Sequence, residues 1–580
     1  MNRQRQFSFT YSDVRLRFDE NLRQALETGR NRLLVAGAVF GLAFLVIAVR
    51  IVNLAVMEQD FGSRVAGLPP SVPAPYGRSD IVDRNGVILA TSLPSASLYA
   101  DPSKVLDAGE AAEKLAQVLP GLNPAEVLVK LQSKGRFVWL RRNLTPQQLY
   151  LVNRLGLPGL FFNNGERRIY PHGRLASHLL GFTDVDGNGI AGIERYFDQV
   201  LRRGGDPIKV SVDIRVQAIL HEELSAAMKE FNALGAAGLI LDVNNGETLA
   251  MVSLPDFDSN APNDAASANR FNRVTKGVYE MGSTFKLFNT AMALDSGTVT
   301  LDDGYDASKP IRISRFTITD FHGKDRWLTV PEILVYSSNI GSAKMALDMG
   351  TTTQRTYLDR FGLISPASIE LPEVGSPLIP PRWRDINTMT ISYGHGIAVS
   401  PLQIATAVTG LVNGGVLRPS TLLKQQNGFR PEGTRILSAE TSRNMRSLMR
   451  MVVTQGTGSK ADARGYPVGG KTGTADKMTG GGYRSGALIS SFIGVFPIYD
   501  PKYVVLTLLD EPKGNEDTFN YATGGWVAAP VVRRVVQRMG PLLGVPPELD
   551  DEAPALNGAS RLAFLGQAQN ESRERVFEAH

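Results

Sequence analysis

Apolar residues crowd first into one run near the start of the chain. Leu33 to Val49 reads LLVAGAVFGLAFLVIAV without a charge, Arg50 interrupts, and IVNLAVM carries the run to Met57. At ~1.5 Å per residue, roughly 25 helical residues cross a hydrocarbon core of ~30 Å. An arginine close to one end can reach the interface with its head. Residues 33–57 are therefore expected to form a single transmembrane helix. Beyond them GLPPSVPAPYGR (67–78) reads as an extended linker. DIVDRNGVILATS (80–92) reads as two short strands around Asn85-Gly86, a dipeptide that favours a type I′ hairpin turn. Residues 106–135 carry a helical pattern, 137–144 an extended one, and 181–201 a glycine-rich loop running into a helix.

The pattern changes near residue 206. KVSVDI (209–214) alternates like a strand, VQAILHEELSAAMKEF (216–231) is an amphipathic helix, and 236–255 reads as two strands hinged at Asn245-Gly246. A late strand pair, 487–498 and 503–512, precedes a final helix near 527–539. Antiparallel strands on both sides of a helical middle predict a sheet with helices on its faces, an α+β sandwich. The expected division is a cytoplasmic tail (1–32), the transmembrane helix (33–57), an N-terminal domain (58–205), a larger second domain (206–549) and a loose C-terminal tail (550–580).

Charge sets the orientation of the span. Residues 1–32 hold seven arginines and no lysine against four acids, a surplus of three in a chain whose total is +5. The positive-inside rule then puts the N-terminus in the cytoplasm and the bulk of the chain outside. A cleaved signal peptide fits poorly: the charged region is long, the apolar run exceeds an h-region, and no A-x-A site follows closely. The remainder is nearly neutral and lacks the basic stripe of a nucleic-acid-binding domain. The chain has no cysteine, which suits an oxidising periplasm and excludes a thiolate nucleophile or metal site. None of the six histidines pairs at metal-ligand spacing, so neither metal nor cofactor is expected.

Three short segments carry candidate chemistry. YEMGSTFK sets Ser283 and Lys286 at i, i+3, ahead of the helix-compatible run LFNTAMALDSG. On a helix these two share a face, and a lysine desolvated near other cations can become a base for a serine. The second segment is Ser337-Ser338-Asn339, a turn that can aim two polar side chains into one cleft. The third, GGKTGTAD, puts Lys471, Thr472, Gly473 and Thr474 before the late strand pair, where a strand edge could bind a carboxylate and glycine lets substrate approach the backbone. Singly, each is compatible with a plain cap or turn. GYPVGGKT also matches a phosphate loop formally, with Gly465 and Gly470 as anchors. That reading needs a buried strand before it and a helix after it, and neither flank qualifies.

In order and spacing the three segments match S-x-x-K, S-x-N and K-T-G, and the sequence resembles the penicillin-binding proteins. DRNG (83–86), ERRIYPHGRLASHLLGF (166–182), AGIERYFD (191–198), ISYGHGIAVSPLQ (391–403) and YATGGWVAAPVV (521–532) extend the likeness to class B. HLLGFTDVDGNGIAGIE is similar to the division-specific, FtsI-type branch. The resemblance implies an elongated, non-catalytic pedestal carrying a penicillin-binding/serine β-lactamase-like transpeptidase domain. It implies Ser283 as nucleophile, Lys286 as its base, Ser337 as proton relay, Asn339 as a holder of Lys286 and of the donor peptide, and Lys471 as a source of positive potential. Thr472, Gly473 and Thr474 would line the substrate carboxylate, and the N–H groups of Ser283 and Thr474 would form the oxyanion hole. Expected partners are stem peptides ending in D-Ala-D-Ala, β-lactams, the membrane, a membrane glycosyltransferase and other division proteins. The competing functions are a catalytically idle division scaffold and a tethered β-lactam sensor or hydrolase. His395 is read as lining the cleft or packing a loop, and Arg167, Arg168 and Glu194 as fixing pedestal geometry through ion pairs.

Overall fold

The structure, a computed structural model, describes residues 37–38, 40–48, 77–313, 316–426, 428–479 and 482–548. The backbone falls into two units, Met1–Pro73 and Ala74–His580. Most of the expected span, the start of the linker and both tails lie outside the described residues. Residues 40–48 are helical, with Phe40, Leu42, Phe44 and Leu45 exposed. No helix among the described residues is long and apolar enough to cross a membrane.

In the second unit β1 (Ile81–Val82) and β2 (Ile88–Ala100) pair antiparallel around Asn85-Gly86, as the pattern predicts. The turn is not type I′, which needs positive φ at both central residues, because Gly86 has it and Asn85 does not. Asp83 shapes it instead, accepting from the backbone N–H groups of Asn85 and Val87 at 2.7 and 2.8 Å. The helical stretch at 106–135 is two helices, α1 (Ala108–Val118) and α2 (Pro124–Leu131). Gly121 turns the chain at φ 78°, and Asn123 caps a new start with Pro124 in its first turn. β2 pairs with both β3 (Val138–Leu144) and β4 (Leu160–Ile169), which α3 (Pro146–Arg154) connects. The helices cover one face through Leu98, Leu115, Leu131 and Leu140.

A buried charge cluster ties this region together. Glu194 is fully buried and accepts from Arg78 Nε at 2.6 Å and Arg168 Nε at 2.7 Å. Arg78 also reaches Asp198 at 2.7 Å. The ion-pair reading of Arg168 and Glu194 therefore holds, with Arg78 as the partner that sequence inspection missed. Arg167 sits on β4 opposite Leu93, outside this cluster.

The alternating KVSVDI gives only a two-residue strand, β5 (Ile208–Lys209), parallel to β1. Asp213 ends the segment by capping α4 (Ile214–Glu230) through its side chain. The main sheet then forms from β6 (Gly235–Asp242), β7 (Thr248–Leu254), β8 (Gly469–Thr479), β9 (Gly482–Phe496) and β10 (Tyr503–Asp510), in the order β8-β9-β10-β6-β7. Every neighbouring pair is antiparallel. One face packs against α4 and the C-terminal helix α9 (Ala529–Leu542) through Leu220, Leu224, Val531 and Val535. The other packs against α5 (Phe285–Asp295), α7 (Pro401–Val412) and α8 (Ala439–Gln455) through Phe285, Phe288, Leu402, Ala405 and Leu448. The expected sheet-and-helix sandwich is present, and β8 is its edge.

Glu194→Ala strands two buried guanidinium groups, and breaking a buried ion pair costs about 3–5 kcal/mol. The expected outcome is a loss of that order in the urea-unfolding free energy of the folded domains. An unchanged midpoint would count against the cluster as a tie.

Candidate active site

Gly282–Thr284 forms a single 3-10 turn leading directly into α5. Ser283 and Lys286 therefore face the same way, one turn apart. Gly282 sits at φ 52°, and a Cβ there would collide with the backbone carbonyl of Thr474, so only glycine lets β8 approach the serine this closely. Ser283 remains half-open to solvent, whereas Lys286 is fully buried. The alternative of a helix cap with an exposed lysine is thereby excluded.

Lys286 Nζ lies 2.9 Å from Ser283 Oγ, 2.6 Å from Asn339 Oδ1, 2.8 Å from the Ser337 carbonyl and 3.1 Å from Ser337 Oγ. All four neighbours are neutral oxygens. Ser337 holds a left-handed backbone at φ 62°, which is strained for a non-glycine residue. That conformation turns both its carbonyl and its hydroxyl toward the amine. Ser338, next in the chain, caps α6 (Asn339–Met349), so Asn339 opens that helix.

From the other side comes β8. Lys471 is also fully buried, and its Nζ lies 3.0 Å from Ser337 Oγ, so one hydroxyl bridges two lysines. Thr472 Oγ1 accepts from Lys471 at 3.2 Å and meets Thr457 Oγ1 at 3.0 Å. Thr474 Oγ1 accepts from the Gly524 N–H at 3.0 Å. A side chain on Gly473 would strike Ser491 and the Met281 carbonyl, so the strand lies flat on the serine turn. β8 runs on into a hairpin with β9 and no helix follows it, which removes the phosphate-loop reading.

These surroundings set the proton affinities. Burial, and next the neighbouring Lys471, drive the Lys286 amine well below the ordinary lysine range, while Asp320 opposes the shift. Burial alone brings Lys471 down to about 7. His395 is held below the usual imidazole value by burial and then by Lys286.

The three segments thus come together around Ser283 and the two lysines. Sequence inspection missed Asp320, whose Oδ2 accepts from Ser338 Oγ at 2.6 Å and whose Oδ1 accepts from the N–H groups of Asn339 and Ile340. It lies 18 residues before Ser338 in a segment without a motif, so only the fold reveals it. Glu280 was missed too: it accepts from the Tyr483 hydroxyl at 3.0 Å and the Gly396 N–H at 2.8 Å, tying the β8–β9 hairpin to the serine turn.

The family model described as penicillin binding protein transpeptidase domain matches residues 236–537, and the penicillin-binding protein dimerisation domain matches 73–217. The chain is 44% identical over 481 residues to the probable peptidoglycan D,D-transpeptidase FtsI of Caulobacter vibrioides, covering 81% of this chain and 82% of that one. It is 31% identical over 490 residues to the peptidoglycan D,D-transpeptidase FtsI of Escherichia coli, covering 78% and 82%. Among solved structures it is similar to the apo transpeptidase domain of Burkholderia pseudomallei penicillin-binding protein 3, with a TM-score of 0.53 and 34% identity over 59% of this chain and 98% of that one. It shares its fold with a peptidoglycan synthetase from Bifidobacterium adolescentis, at a TM-score of 0.65 and 22% identity over 84% and 98%. The two matched regions run from the β1–β4 sheet through the strand that carries Lys471, and the chain belongs to the class B penicillin-binding proteins, in their FtsI-type branch.

Proposed function

We propose that this chain crosslinks peptidoglycan as a D,D-transpeptidase of septal wall synthesis, with Ser283 as its nucleophile. The observation that carries the reading is the fully buried Lys286 amine, 2.9 Å from Ser283 Oγ and ringed by neutral oxygens. In its neutral form Nζ keeps its N–H donors on Asn339 Oδ1 and the Ser337 carbonyl and turns its lone pair to the Ser283 hydroxyl. Ser283 Oγ attacks the carbonyl of the penultimate D-Ala as its proton passes to Lys286. The close approach of Gly282 to Thr474 supports a paired oxyanion site from the N–H groups of Ser283 and Thr474. Ser337 Oγ, which touches both lysines, gives its proton to the departing D-Ala amine and takes the one held by Lys286 in its place, which leaves the base neutral again. The C–N bond breaks and an ester on Ser283 remains. An amine of a neighbouring stem peptide then attacks that ester, forms the crosslink and returns the proton to the serine. Lys471, Thr472 and Thr474 hold the terminal carboxylate along β8, and β-lactams acylate the same serine.

The proposed division is a cytoplasmic tail (1–32), a transmembrane anchor (33–57), a pedestal (58–205), the transpeptidase domain (206–549) and a C-terminal tail (550–580). The apolar run and the arginines before it support an inner-membrane anchor with the catalytic domain in the periplasm. A membrane glycosyltransferase and other division proteins are the proposed partners. Names that relatives carry, peptidoglycan D,D-transpeptidase FtsI, support the septal assignment.

With fluorescent penicillin, the wild type should hold a slowly decaying covalent label and Ser283→Ala none, with its melting temperature retained. Label surviving in the alanine variant would overturn the nucleophile assignment, rapid loss from the wild type would favour a hydrolase, and no label on folded wild type a scaffold. Lys286→Ala should slow acylation by about 10²–10⁴-fold, the usual contribution of a general base. The pH profile follows from the two lysines. A base acts when neutral, so acylation should rise as pH climbs past the depressed Lys286 value. An electrostatic clamp acts when charged, so acylation should fall as Lys471, at about 7, loses its proton. The expected curve is a bell whose limbs belong to the coupled pair, and a flat profile between about pH 5 and pH 9 would refute it.

A further inference from the structure

The Lys286 amine is faced by three charged or titratable groups on separate elements: Lys471 on β8, His395 in the loop before α7, and Asp320 in the segment that follows the strand Phe316–Ile318. Asp320 is the carboxylate of this set, and nothing in the catalytic scheme uses it. Its contacts are nonetheless organised around one purpose. Oδ1 accepts from the N–H groups of Asn339 at 2.5 Å and Ile340 at 3.0 Å, the first two residues of α6. Oδ2 accepts from Ser338 Oγ at 2.6 Å, while Ser338 Oγ itself accepts from the Gly341 N–H at 3.0 Å. The neighbouring Thr319 carbonyl accepts from Asn339 Nδ2 at 2.9 Å. With its NH₂ group committed there, the Asn339 amide cannot flip, and its Oδ1 must face Lys286 Nζ at 2.6 Å.

The segment is anchored further along as well. Lys324 Nζ lies 4.7 Å from the centre of the Tyr336 ring, the residue before Ser337. Arg326 donates to both oxygens of Glu332, at 2.8 and 3.2 Å. The stretch from Thr319 to Arg326 therefore straps the Ser-Ser-Asn turn from behind.

Resting on the transpeptidase reading above, we infer that Asp320 is a positioning residue for Lys286: it clamps the first turn of α6 so that Asn339 addresses the amine, and it sets a negative charge behind that amine. The charge has a definite consequence. Burial first, and then Lys471, disfavour an ammonium at Lys286, and Asp320 opposes them. It thereby keeps the base within the range where it can both take and return a proton, as acylation and its resolution each require. A role limited to stability would make no such demand on its charge.

The test is the pH dependence of penicillin acylation of Ser283, measured as a second-order rate on the full chain in detergent. Asp320→Asn keeps the shape and an acceptor for the two N–H groups but removes the charge, and Asp320→Ser is a second neutral cap. In both, the acid limb should move to lower pH by about one unit, because a lysine without its counter-charge loses its proton sooner. Asp320→Glu keeps the charge in a poorer position, so its limb should stay near the wild type's while its plateau falls about tenfold. Neutral variants whose plateau falls with the limb unmoved would overturn the inference, as would loss of cooperative melting in both, which would leave Asp320 a purely structural role. Absence of label on the wild type would instead defeat the transpeptidase reading, and this inference with it.

Discussion

Two lysines buried within reach of one hydroxyl are the constraint on which the rest of the catalytic domain depends. Lys286 and Lys471 are both fully enclosed and share Ser337 Oγ. Removing an ammonium from water is expensive unless hydrogen bonds and charge replace the hydration. Here the replacements are mostly neutral oxygens, so the structure lowers the proton affinity of the amines more than it solvates their charge. The left-handed Ser337, the glycine at 282 and the flat contact of Gly473 all bring oxygens or strand backbone close enough to complete that environment.

The dimerisation-domain region shows the opposite use of buried charge. There two guanidinium groups share the fully buried carboxylate of Glu194, and the cluster ties segments more than a hundred residues apart. Around Lys286 the carboxylate that acts on the amine among the described residues, Asp320, stands behind Asn339 and Ser338 and does not touch it. Directly paired charges hold a domain together; buried amines with no carboxylate in contact keep a group able to change its protonation. The same chain contains both.

The sheet turns these local features into a site. β8 is an edge strand, with one side paired to β9 and the other free to face a ligand. Helices on both faces of the sheet fix the strand's height relative to α5, and Glu280 pins the β8–β9 hairpin to the serine turn. The distance between Ser283 and Lys471 is therefore set by the packing of a whole domain and not by any one loop.

Local spacing made much of this legible in advance. An i, i+3 interval places Ser283 and Lys286 on one face of any helix, two short apolar runs late in the chain make a strand pair, and Asn245-Gly246 marks a hairpin, because each depends only on neighbours along the chain. Where local signals competed, the pattern misled: KVSVDI yields to the capping role of Asp213, and Pro120-Gly121 breaks a stretch that carries a helical pattern throughout. The sequence by itself determined which residue types could do acyl transfer, their order and the sheet-and-helix class. Only the tertiary structure decided that Lys286 is buried, that Ser337 bridges both lysines, and that Asp320 and Glu280 belong to the site. Desolvation and charge coupling act through space, and no spacing along the chain records which distant segments a sheet will press together.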